Sequence, residues 1–174
     1  RRPPEFLLTH PVTENRIADS LNRAGKFPRE LHAESLDYHL MRARVLLKHE
    51  NTPQDGVKRF TSELERDSVS PEASRYGLVL ALTESGQIDR ARNALKPLME
   101  TSPNKPVYII AAADIEANDN IEKALALLET QLKTNPTHHA YNVRYAELLM
   151  KAGDYALSEE AVSYTHLTLP TKRI

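Results

Sequence analysis

Between Pro71 and Pro136 the chain says nearly the same thing twice. Pro71-Glu72-Ala73 opens an apolar-periodic segment, Gly86 interrupts it, and Ala91 and Leu95 follow at helical spacing before Pro103. The pattern returns as Tyr108, Asp119, Ala124, Leu128 and Pro136, with Ala91 and Ala124, Leu95 and Leu128, and Pro103 and Pro136 each 33 apart. Self-similarity at roughly 34 residues, read as helix, turn, helix and proline, is the signature of a tetratricopeptide array. One such unit cannot bury its apolar face alone, so stability has to come from stacking. The expected fold is all-α, a tetratricopeptide-repeat α-solenoid.

Further repeats follow from the same register. Residues 71–103 predict helices at about 71–84 and 87–100, and residues 105–136 at about 105–117 and 120–134. A degenerate first repeat begins at Ser35. Leu36, Leu40, Ala43 and Leu47 form one helix face, the loop around Pro53 follows, and Val57, Phe60 and Leu64 form a second. A fourth repeat begins at Thr137, where Ala146 answers Ala112 and Gly153 answers Asp119, with its second helix expected from Asp154 onward. Small residues at Ala91, Ala112, Ala124 and Ala146 allow helices to approach closely. Pro97 is the local conflict, expected to kink or shorten its helix. The repeats thus occupy residues 35–161.

Composition narrows the function classes. Of 174 residues 40% are hydrophobic and 27% charged, as in an ordinary globular chain. A net charge of -1 argues against a broad nucleic-acid surface, which needs concentrated basic charge. No run approaches the roughly 18 apolar residues of a membrane span. With no cysteine the chain has no disulfide and no Cys-based zinc site. There is no H-E-x-x-H, no Gly-rich phosphate loop and no G-x-S-x-G elbow, so no residue is a catalytic candidate and no cofactor is expected in this stretch. His138 and His139 are adjacent, point to different faces, make a poor chelate and read as exposed polar residues. His32, His39 and His49 read as surface residues.

The flanks depart from the repeats. Residues 1–12, RRPPEFLLTHPV, form an extended, proline-punctuated lead without a hydrophobic leader, and the chain reads as cut there rather than begun. Thr13 is a plausible N-cap for a helix carrying Ile17, Leu21 and Ala24 on one face, with Gly25 as its stop. Residues 26–34 are a polar linker. At the other end, residues 162–171 (VSYTHLTLPT) match the translation of a transposase adapter used to prepare sequencing libraries. Residues 162–174 are read as an assembly artefact, the alternative being a divergent last helix.

The segment Pro3-Pro4-Glu5-Phe6-Leu7-Leu8-Thr9-His10-Pro11, followed by Glu14-Asn15-Arg16-Ile17, resembles the end of a zinc metallopeptidase catalytic domain. The family is that of the H-E-x-x-H peptidases, which includes the CAAX-prenyl and heat-shock membrane proteases. Its members often carry Thr-His-Pro before a helix containing Arg-Ile, and a periplasmic branch continues into tetratricopeptide repeats. The resemblance implies that residues 1–25 end a metallopeptidase domain whose H-E-x-x-H helix and third ligand lie upstream. It implies a periplasmic location, zinc in the parent protein, and a carboxy-terminal repeat region that binds protein partners or unfolded outer-membrane protein substrates. It also places His10 at the rim of a zinc cleft. There it is a candidate regulatory ligand, since a loop imidazole reaching the open zinc position would displace water. The alternative for His10 is a hydrogen bond to the catalytic domain. The alternative for the whole chain is a free-standing adaptor, which would need no RRPPEFLLTHP ahead of its first repeat.

In repeats of this kind the first helix of each pair lines the binding side. Counting from Glu72, Lys105 and His139 places Tyr76, Leu80, Thr83, Ile109, Glu116, Val143, Glu147 and Met150 there. Leu80, Ile109 and Val143 suit an interhelical core as well as a groove. Tyr76, Glu116 and Glu147 suit an extended peptide and its basic groups better.

Overall fold

A computed structural model describes residues 13–26, 34–66, 68–159 and 161. The chain divides into two units, residues 1–34 and 35–174. In the first, α1 (Thr13–Ala24) begins at Thr13 itself rather than after it, and Ile17 and Leu21 are exposed. The predictions for residues 1–12 and 162–174 lie outside the described residues.

The second unit is an all-α helical-repeat solenoid. Its helices are α2 (Leu36–Lys48), α3 (Pro53–Glu65), α4 (Pro71–Glu84), α5 (Ile88–Thr101), α6 (Pro106–Asp119), α7 (Ile121–Thr134) and α8 (His139–Ala152). Proline marks where several begin: Pro53, Pro71 and Pro106 each occupy the first turn, where no backbone N–H is missed. Side chains supply other starts. Ser35 accepts from the Tyr38 N–H, Thr52 from Asp55 and Asn120 from Lys123. Gly153, at φ 88°, ends α8 in the left-handed conformation, and residues 155–159 are helical again.

From α3 to α8 each helix packs on the next, while α2, α4, α6 and α8 also pack on one another in succession. The even-numbered helices are therefore the first helices of the repeats. α6 explains how the core continues. Tyr108, Ala111 and Ile115 join the cluster built by α2 to α5, and Ile109, Ala113 and Ala117 join the one shared with α7 and α8. A helix apolar around most of its circumference is one buried on both sides.

Three sequence expectations change here. Pro97 does not shorten α5, which runs through it to Thr101. Pro97 lies on the exposed face, so the Asn93 carbonyl it deprives of a partner can meet water, while buried Leu95 and Leu98 hold the helix on either side. Ala91, Ala124 and Ala146 are buried, but the buried small residues of α6 are Ala111, Ala113 and Ala117, with Ala112 only partly covered. His138 is no idle surface residue: its Nδ1 accepts from the Tyr141 N–H at 3.3 Å, and its ring stacks on Tyr141 at 4.0 Å.

Candidate protein-binding face

α4, α6 and α8 each carry one buried aromatic anchor. Tyr76, Tyr108 and Tyr141 are at most 2% exposed, and the Tyr76 and Tyr108 rings lie 5.7 Å apart. A buried hydroxyl needs a partner, and Tyr76 and Tyr108 find theirs on neighbouring even helices. Arg44 on α2 donates to the Tyr76 hydroxyl at 3.0 Å. The Tyr108 hydroxyl donates to Glu72 on α4 at 2.6 Å. Burial pushes the Tyr108 hydroxyl far above its usual range, and Glu72 pushes it the same way. Lys105, just ahead of α6, bonds Asp37 of α2 at 2.8 Å, across two repeats.

A line of alternating charge overlies this ladder. Asp114 on α6 accepts from Arg144 on α8, and Arg144 also reaches Glu147 at 2.6 Å. Burial pushes the Asp114 carboxyl above the usual carboxylate range, against the pull of Arg144 and Arg44. The run from Arg44 through Asp114 and Arg144 to Glu147 thus offers both signs of charge on one set of helices. An extended polar chain could meet it with its own charges.

The residues predicted for the groove divide by depth. Met150 is 54% exposed, and Glu147 is also exposed. Leu80, Thr83, Glu116 and Val143 are partly covered. Thr83 turns its hydroxyl back to the Val79 carbonyl at 2.9 Å. Tyr76 and Ile109 are buried, 0% and 3% exposed, and act in the interhelical core. Glu116 faces α5, where Arg92 binds it at 3.1 Å and also reaches Asp119. It therefore joins two repeats and does not belong to the line formed by Asp114 and Glu147. Counting positions did not reach Arg44, Asp114 or Arg144. Asp114 leaves a trace in the sequence as one of two carboxylates, with Glu116, in the otherwise apolar run 107–117.

Among the described residues no three His, Asp or Glu side chains converge on a metal position, and no helix is long and apolar enough to cross a membrane. These side chains therefore do not build a zinc site, and His10 lies outside the described residues.

Stacked helical pairs with a charged face of their first helices define a helical-repeat scaffold. No family model matches the chain. It is 34% identical over 139 residues to the β-barrel assembly-enhancing protease of Escherichia coli K12, a match covering 78% of this chain and 28% of that protein. A putative β-barrel assembly-enhancing protease of Vibrio cholerae is 34% identical over 116 residues, 66% of this chain and 24% of its own length. The Yersinia pestis protein of the same name is 30% identical over 131 residues, 75% of this chain and 27% of its own. Over most of its length, the chain is a relative of the β-barrel assembly-enhancing proteases. It spans about a quarter of the length of the relatives it matches.

Proposed function

We propose that residues 35–161 are the protein-binding tetratricopeptide region of a periplasmic zinc metalloprotease that takes part in quality control of outer-membrane protein assembly. The observation that carries the reading is the conjunction of a stacked repeat core with a similarity, over most of the chain, to proteins named for assembly enhancement and proteolysis. In this reading the repeats hold unfolded outer-membrane protein segments or assembly partners, and hydrolysis belongs to a catalytic domain beyond this stretch. Binding runs along the even helices, where Glu147 and Met150 are accessible and Arg44, Asp114 and Arg144 supply the charge pattern. Residues 1–25 end the catalytic domain, and His10 reaches the zinc in the longer protein.

The test is capture of an unfolded outer-membrane protein by the full-length protease carrying these repeats. Glu147→Lys together with Met150→Ser should weaken capture several-fold, because two accessible contacts are removed and one charge inverted. Glu122→Lys, exposed on α7, should leave it intact. Equal capture by all three would dismiss the even helices as the binding face. In the same protein His10→Ala should alter zinc retention against a chelator; unchanged retention removes His10 from the metal's surroundings.

A further inference from the structure

The first helical pair closes differently from the others. α4 with α5, and α6 with α7, pack along their lengths, whereas α2 and α3 scarcely touch and each lies on α4 instead. They come together at their turn. A methyl placed on Gly56 would stand 2.5 Å from Leu47 Cδ1, and Arg59 reaches Glu50 at 2.9 Å. Away from the turn the pair opens into a cleft of about 430 Å³, which runs from His39 on α2 to Arg66 beyond α3 and Ser70 before α4. That volume lies within the usual range of ligand sites, roughly 300–1,000 Å³.

The lining divides by chemistry. Ala43, Leu46, Phe60 and Ala73 make an apolar floor. Glu63 is already satisfied, accepting from Arg59 Nε at 3.3 Å and from the Ser74 hydroxyl at 2.8 Å. Arg42 and Arg66 are exposed, and among the described residues neither has a carboxylate partner. Val69, 86% exposed, stands on the rim. Among the described residues that line the cleft, the one carboxylate is therefore committed to the fold, while two guanidiniums at its edge are not. A planar fork of N–H donors over an apolar floor selects a carboxylate joined to an apolar group.

We infer that this cleft is a second peptide site, separate from the even-helix face, which binds a carboxylate next to an apolar side chain. The carboxylate meets Arg42 and Arg66, and the side chain covers the floor between α2 and α3. The carboxylate can belong to an acidic side chain or to a chain terminus, and the chemistry of capture is the same. The inference stands whether or not the even helices bind unfolded substrate.

The experiment uses the full chain and three labelled Gly-Ser hexapeptides, followed by fluorescence anisotropy at low salt. One ends in Phe with a free carboxylate, one is the same peptide amidated, and one is amidated with an internal Asp-Phe pair. At least one carboxylate-bearing peptide should bind tenfold or more tightly than the neutral one, and which of the two does so identifies the source. Arg42→Glu with Arg66→Glu should abolish the preference while helical circular dichroism is retained, and Glu147→Lys should leave it unchanged. Both arginines are exposed, and Arg42→Gln with Arg66→Gln serves as the gentler pair should reversal disturb folding. No preference for a carboxylate, a preference that survives loss of both arginines, or an equal loss in Glu147→Lys would each overturn the assignment.

Discussion

Gly77 shows how much of this packing is decided atom by atom. Phe60, fully buried, lies against the backbone of α4 there, and a methyl on Gly77 would come within 2.4 Å of its ring. The ring is buried, so room for the methyl comes only by displacing it from its packing. Gly77→Ala should therefore destabilise the fold by about 1–3 kcal/mol, even though alanine is the better helix former by about 1 kcal/mol. Urea unfolding would measure it, and a neutral or stabilising result would mean that Phe60 does not pack on α4 this closely. Asp114 makes a prediction of opposite character. Its carboxyl titrates above the ordinary range because burial disfavours the charge. An acid whose pKa is raised by folding adds stability below its unfolded pKa and loses that addition as pH rises through the folded value. Lowering the pH from neutral toward 4 should thus produce a stabilising contribution that Asp114→Asn abolishes. If the two proteins kept a constant difference in unfolding midpoint across that window, Asp114 would not be titrating as described. Neither residue could be valued from sequence alone. A helical glycine and an acid in an apolar run are visible as letters, but Phe60 lies 17 residues from Gly77 and Arg144 lies 30 from Asp114.

At the scale of elements the sequence was far more legible. Prolines at 53, 71 and 106, hydroxyl and amide caps, and a glycine after α8 are local signals that act within one turn, so helix boundaries could be read directly. The repeat spacing placed the paired helices for the same reason. Pro97 does not shorten its helix because its cost depends on which face of α5 meets water, a tertiary fact. Now that the helix is seen to continue through it, Pro97→Ala should restore the Asn93 hydrogen bond and raise stability, by up to ~3 kcal/mol. A loss of stability, read by the same urea titration, would show that a proline-induced bend is needed to seat Leu95 and Leu98. The degenerate register of the first repeat was legible too. Its consequence, a pair that opens away from its turn, emerges only once α2 and α3 are each seen to rest on α4.

Across the whole molecule, the second unit behaves as a line of neighbours. α4 contacts α2, α3, α5 and α6, and α6 contacts α4, α5, α7 and α8, so disturbance at one repeat is passed through the even helices. Tyrosine hydroxyls and the Lys105–Asp37 and Arg144–Asp114 pairs tie those helices together. The counting rule for such repeats selects residues that the fold divides by depth, and Glu116 among them pairs with Arg92 of α5. The most direct test is hydrogen exchange of the full-length protease in the presence and absence of an unfolded outer-membrane protein segment. Added protection should concentrate on α4, α6 and α8, strongest around Arg144 to Met150, with α5 and α7 little changed. Protection confined to α5 and α7, or none in any repeat helix, would contradict binding along the even helices.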